Sequence, residues 1–375
     1  MIMPLYQPLN ENPPKLAQES HRGLWYERFF NRYKPDWTVD KDGKSAWVTQ
    51  NAKSCGDNKV LAQHAQRLLQ LAEILGGDFK VFETNWHFAT GLGLPHPVEN
   101  GFAWHPTLGV PYLAGSAVKG LLRAWVEVWE PDGERLQTWF GEQEQAGQLL
   151  FFDALPIEPV NLIADVMTPH LGDWYQKGEQ IDNPATQSDR IPADWHDPVP
   201  VPFLAVKPNT KLLFLVAPRT QTYKARVGEA FDALGNALNW LGAGAKTAAG
   251  YGHMQLNEVA RDSLIKQRDE VIAEMQREKA EAERQAANAQ RKAQMSPFEL
   301  SMEELIEAKA SQAGYITLLQ KLKEGHWESS EDKKAVAESI KERMVEAKVW
   351  KETTNAKNPG GDKKYQRTLE VKKYM

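Results

Sequence analysis

Apolar residues in the stretch RVGEAFDALGNALNWL fall at Val227, Phe231, Leu234, Leu238 and Leu241, the three-and-four spacing of one helix face. VLAQHAQRLLQLAEIL reads as a second helix, ended by Gly76-Gly77 as a C-cap. A third is predicted in SAVKGLLRAWVEVWE, with Ser116 as its N-cap. Strands are predicted in FKVFETNWHFATG, GQLLFFDALP and VNLIADVMTPH, and a strand-turn-strand in VPFLAVKPNTKLLFLVAP. YGHMQLNEV closes the series. The order from residue 79 is β-α-β-β-(β)-α-β, with a polar, Pro/Asp-rich insertion at about 172–198. That order implies an α+β, ferredoxin-like (RRM-like) domain with insertions, a sheet whose open face often receives RNA.

The flanks read differently. Residues 1–78 are polar and Pro/Asn-rich with aromatic islands such as LWYERFF, and are expected to be a surface-hugging extension with one helix. Beyond residue 256 the chain is helical and charge-dense, and its apolar positions thin out after Met275, so no sustained heptad seam forms. SPF at 296–298 restarts the chain. Two or three shorter helices are predicted around MEELIEAKA, YITLLQKLKE and KAVAESIKERMVEAKVW, before the basic end KKYQRTLEVKKYM. The expected organisation is an N-terminal extension (1–78), a ferredoxin-like domain (79–255) and an all-helical C-terminal extension (256–375).

Composition narrows the function classes. Among 375 residues, 42% are hydrophobic and 25% charged, ordinary for a globular protein with a real core. Cys55 is the single cysteine, which excludes an internal disulfide and a Cys-based zinc site. Asp165 with His170 is too sparse for a metal, and no cofactor is implied. MIMPLYQPLNENPP lacks the basic and apolar regions of a signal peptide, and no apolar run approaches a membrane span, so a cytoplasmic location is expected. The net charge of −5 leaves no overall basic footprint, so any nucleic-acid contact is local. The 13 tryptophans are core filler or a stacking surface for bases.

The glycine-rich WLGAGAKTAAGYG (240–252) approaches a nucleotide-binding loop without being one. Ala245 separates Gly244 from Lys246, and the loop follows a helix where a P-loop follows a strand. Gly242, Gly244, Gly250 and Gly252 free the backbone for a nest of amides around a phosphate, with Lys246 adding charge and Thr247 a hydroxyl donor. Lys119 and Arg123, four apart on one helix face behind Gly115, form a second anion site or simply face solvent.

PYLAGSAVKGLLR, FGEQEQAGQLLFFDA and GAGAKTAAGYG together resemble the three signatures of the RAMP superfamily, the repeat-associated subunits of type III CRISPR effector complexes. GLGLPHPVENGFAWHPTLGVPYLAG and DVMTPHLGDWY are similar to the sixth subunit of the Cmr (type III-B) complex. The resemblance covers about 80–255 and leaves the tail out. It implies a non-catalytic RNA-binding subunit of an antiviral ribonucleoprotein, capping the backbone near the 3′ part of the guide RNA. Its implied partners are guide RNA, target RNA and other Cmr-type subunits. Lys119, Arg123, Gly242, Gly244, Lys246, Thr247, Gly250 and Gly252 would hold RNA backbone, leaving sequence to base pairing. Ser116, His96 and His105 are RNA contacts or structural groups. The alternatives are a RAMP-type endoribonuclease using His96 or His105, and a protein–protein scaffold acting through its tail.

Overall fold

The computed structural model describes residues 15–17, 20–183, 185–187, 190–193, 196, 198–308, 313–354 and 359–375. The opening MIMPLYQPLNENPP and the last residues of MEELIEAKA lie outside them. In chain order the N-terminal part holds α1 (Arg22–Arg28), α2 (Lys41–Asn51), β1 (Ser54–Cys55) and α3 (Asn58–Leu75). The central part runs β2 (Asp78–Thr84), α4 (Gly115–Val128), β3 (Leu149–Phe151), β4 (Leu155–Pro156), β5 (Val160–Met167), β6 (Val201–Val206), β7 (Lys211–Pro218), α5 (Arg226–Trp240) and β8 (Met254–Leu256). The helical part follows with α6 (Glu258–Ala293), α7 (Pro297–Glu307), α8 (Gly314–Lys323), α9 (Ser330–Glu346) and α10 (Lys363–Lys372).

The main sheet has the antiparallel order β3-β7-β2-β8, with β4 also on β7. This is the ferredoxin-like βαββαβ arrangement, its first and third strands at the centre. β2 is its hinge of register, Phe82 standing between Leu212 of β7 and Leu256 of β8. β7 is an almost unbroken apolar run because both of its faces are covered. Leu212, Phe214 and Val216 join the core under α4 and α5, formed with Leu122, Leu234 and Leu238. Leu213, Leu215 and Ala217 pack instead with Leu69 and Ala72 of α3 and Leu264 of α6. The face expected to stay open for RNA is therefore closed, since those alternate residues of β7 are as apolar as their neighbours and need a cover.

Two other expectations change. β5 and β6 leave the main sheet and form a second antiparallel sheet with β1, pairing Leu162 with Val206 and Asn161 with Ser54. The aromatic islands near the N-terminus do not hug a surface. Trp25, Tyr26, Phe30 and Trp47 are buried in the same core as Phe88 and Phe102, and α1 and α2 add two helices to the one expected. Four aromatic side chains at these positions bury more apolar area than a surface extension could leave in water.

α3 does end at Gly76, which takes a left-handed conformation (φ 70°) and returns its amide to the last turn. The chain divides into two compact units, the second spanning Ala273–Met375. Within it α8, α9 and α10 share a core of Leu318, Leu322, Val336, Ile340, Met344 and Val371. α7 begins with a capping box between Ser296 and Glu299. Most of α6 is solvated on all sides, as its thin apolar pattern predicts.

Candidate nucleic-acid interface

The helix behind PYLAG starts two residues earlier than its serine suggests. Ala114 is the N-cap of α4 and makes no side-chain cap bond, so Ser116 is not the cap. The Gly115 amide instead donates to Asp153 Oδ1 at 2.7 Å. The helix entry presses on the end of β3, where a Cβ on Gly115 would collide with the Phe151 carbonyl. Ser116 is left exposed. One amide that could have met a phosphate is thus occupied by the chain's own carboxylate.

The two cations of α4 part company. Arg123 Nε donates to Glu127 Oε1 at 2.7 Å, one turn further along the exposed face. Lys119 is half-buried and faces a cleft of about 360 Å³ shared with Arg219 and the loop Glu142–Gly147. Arg219 Nε donates to the Gly147 carbonyl at 2.9 Å. Lys119 gains its second cation from the end of β7, 100 residues away, which no helical spacing could foresee.

The glycine-rich loop is built from the inside. Gly242, Gly244, Gly250 and Gly252 all have positive φ. A Cβ on Gly242 would lie 2.7 Å from the Tyr251 carbonyl, and on Gly244 or Gly252 it would strike the carbonyl of Ala89 or Ala243. Only around Gly250, among these four, is there open space. Several amides are committed internally: Ala243 to Gly252, Ala245 to Ala89, and Gly252 to His87. Lys246 is left-handed (φ 61°) and opens a short turn of helix, Thr247–Ala249. The amides of Lys246, Thr247 and Ala248 have no acceptor among the described residues. Three successive amides after a left-handed residue have the form of an anion nest.

The Lys246 side chain turns inward. Its Nζ lies 2.7 Å from Met167 Sδ and 4.9 Å from the centre of the Phe203 ring. Burial holds its pKa below the usual lysine value, with Asp165 opposing the shift.

Around it stands a group that motif spacing did not reveal. The Tyr251 hydroxyl donates to Asp165 Oδ2, and His87 Nδ1 lies 3.5 Å from the same oxygen. Burial, then the Asp165 carboxylate, push the Tyr251 phenol up to about 12. Asp165 looks isolated in sequence beside His170, which is exposed. Its partners come from the end of β2 and from the glycine-rich loop. The signal that could have found it is the tyrosine that ends the loop motif.

The loop histidines are held structurally. His96 Nδ1 accepts from the Val98 amide at 3.2 Å, so Nε2 carries the proton it donates to the Tyr26 carbonyl at 3.0 Å. Its ring stacks on Tyr26 at 4.4 Å, and burial lowers its pKa. His105 Nδ1 accepts from the Leu108 amide at 3.2 Å and faces the His64 ring at 6.0 Å. Burial and His64 lower its pKa. No cluster of three or more His, Cys, Asp or Glu among the described residues could hold a metal ion. No described helix is long and apolar enough to cross a membrane.

A profile of the RAMP superfamily matches residues 81–255, from β2 through β8. The chain carries a RAMP domain. Two curated relatives match the chain in part. The CRISPR system Cmr subunit Cmr6 of Pyrococcus furiosus is 36% identical over 152 residues, 39% of the chain and 42% of that protein. The CRISPR system CMR subunit Cmr6 of Saccharolobus solfataricus is 28% identical over 165 residues, 43% of the chain and 50% of that protein. The match thus spans half or less of the length of these curated relatives. Among solved structures, the crystal structure of Cmr6 from Pyrococcus furiosus aligns with a TM-score of 0.32 at 26% identity, covering 48% of the chain and 97% of its own. The cryo-EM structure of the type III-B Cmr-beta bound to cognate target RNA aligns with a TM-score of 0.45 at 20% identity, covering 57% and 69%.

Proposed function

We propose that this chain is a Cmr6-type subunit of a type III-B CRISPR ribonucleoprotein, acting in the cytoplasm and binding RNA without cleaving it. It would cap the backbone near the 3′ part of the guide RNA, beside other Cmr-type subunits and the target RNA. The observation that carries this reading is the 36% identity to a Cmr6 subunit over 152 residues. The physical support is the Gly-rich loop, whose Lys246, Thr247 and Ala248 amides are free for a phosphate. Lys119 and Arg219 supply two cations to a second cleft, whose loop side also carries Glu142 and Glu144. Such contacts grip a backbone of any sequence, as a guide of variable sequence requires.

The test is co-purification with RNA. The full chain expressed with its neighbouring subunits should retain a guide RNA, sequenced after extraction. Lys119→Glu with Lys246→Glu should lower RNA retention; unchanged retention and assembly would remove the phosphate-cradle reading. Incubated with repeat RNA in chelator, the purified chain should leave the RNA intact. Site-specific cleavage that disappears in His105→Ala would install the nuclease reading in its place. Deleting 273–375 tests the scaffold reading, which requires loss of assembly with the remaining RAMP domain still folded.

A further inference from the structure

The indole of Trp86 is 53% exposed at the end of β2, while Trp25, Trp47, Trp104 and Trp139 are buried. The backbone on either side of it is pinned. On one side the Asn85 amide donates to the His253 carbonyl at 2.9 Å, and on the other the Gly252 amide donates to the His87 carbonyl at 2.8 Å. These bonds clamp residue 86 to the glycine-rich loop. Its ring rests on the His87 ring at 4.7 Å and 33°. His87 is steadied in turn by Asp165, which also receives the Tyr251 hydroxyl and the Val166 amide. An open aromatic face at the margin of the glycine-rich loop is a surface on which an unpaired base stacks.

We propose that Trp86 is a base-stacking platform of this chain, taking one unpaired RNA base at the margin of the glycine-rich loop. This deepens the RNA-subunit reading and rests on it. Stacking is indifferent to base identity, because every base has a π face. The platform therefore suits a strand whose sequence varies.

The probe is a fluorescein-labelled single-stranded 12-mer of uridine, titrated with the full chain over a series of salt concentrations. Trp86→Ala should weaken binding about five- to a hundredfold, the range for loss of one stacked base. The salt dependence should be unchanged, because no charge is removed. Trp86→Phe should restore most of the affinity. Trp129→Ala, another exposed indole, should bind as the parent does. Wild-type affinity in Trp86→Ala would overturn the platform while leaving the RNA-subunit reading in place. So would a loss in Trp86→Phe as deep as in the alanine variant. A parent chain that neither binds the 12-mer nor carries RNA from cells would overturn both.

Discussion

Asp153 accepts the Gly115 amide at 2.7 Å across 38 residues of sequence, so the carboxylate after β3 caps the helix that carries Lys119. Asp153→Ala should cost about 1 kcal/mol, the usual effect of losing a cap. Asp153→Asn, which keeps an acceptor, should cost less. Ser116→Ala should be near neutral. Urea midpoints of the three variants check the order, and a large loss in Ser116→Ala would contradict the assignment of the cap.

Gly250 and Gly252 share a positive φ but not surroundings. Gly250→Ala should cost only left-handed backbone strain, about 1–2 kcal/mol. Gly252→Ala adds a collision with the Ala243 carbonyl and should be markedly worse, displacing the loop from His87. Thermal melts of both variants read the difference. Equal losses would mean that the loop has room at residue 252.

Acid should destabilise the first unit, Met1–Ile272, through its histidines. Burial lowers the pKa of His96, His105 and His64 in the folded state. The unfolded chain then binds more protons than the native one below the ordinary histidine pKa of about 6.5. The stabilisation is complete above that value and is lost as pH falls from it through the lowered folded values. Urea midpoints should drop between pH 7.5 and 5.5. His96→Gln, losing one of the three groups, should flatten the slope.

The core of the second unit should fail independently of the first. Ile340→Ala truncates a fully buried side chain between α8 and α9 and should cost about 2–5 kcal/mol. Calorimetry should show one transition moved and the other unmoved, with RNA binding retained at a temperature below both. A single shifted transition would mean that the two units melt together.

Glu303 accepts from both Arg291, near the end of α6, and Arg343 of α9, at 2.7 and 3.0 Å. Glu303→Gln should lower the stability of this unit by about 1 kcal/mol, with two charge-assisted bonds weakened at once. Most of that loss should vanish in 0.5 M salt if solvent screens the pair, and a salt-independent loss would mark the pair as shielded.

The sequence by itself determined the βαββαβ order, the helix ending at Gly76 and the failure of the P-loop reading. Each is local: a period, a left-handed glycine or a motif register is complete within a few residues. The RAMP resemblance was legible for the same reason, because its three motifs are short and contiguous. Only the tertiary structure decided what those motifs touch. It closed the open face of the sheet with α3 and α6, because alternate residues of β7 are equally apolar. It drew β5 and β6 into a second sheet and buried the N-terminal aromatics. It gave the α4 cap to Asp153 and set Arg219 beside Lys119. It gathered His87, Asp165 and Tyr251 around the loop and left Trp86 outside. These are contacts between residues far apart in sequence, fixed by which apolar faces find one another, and no local pattern encodes them.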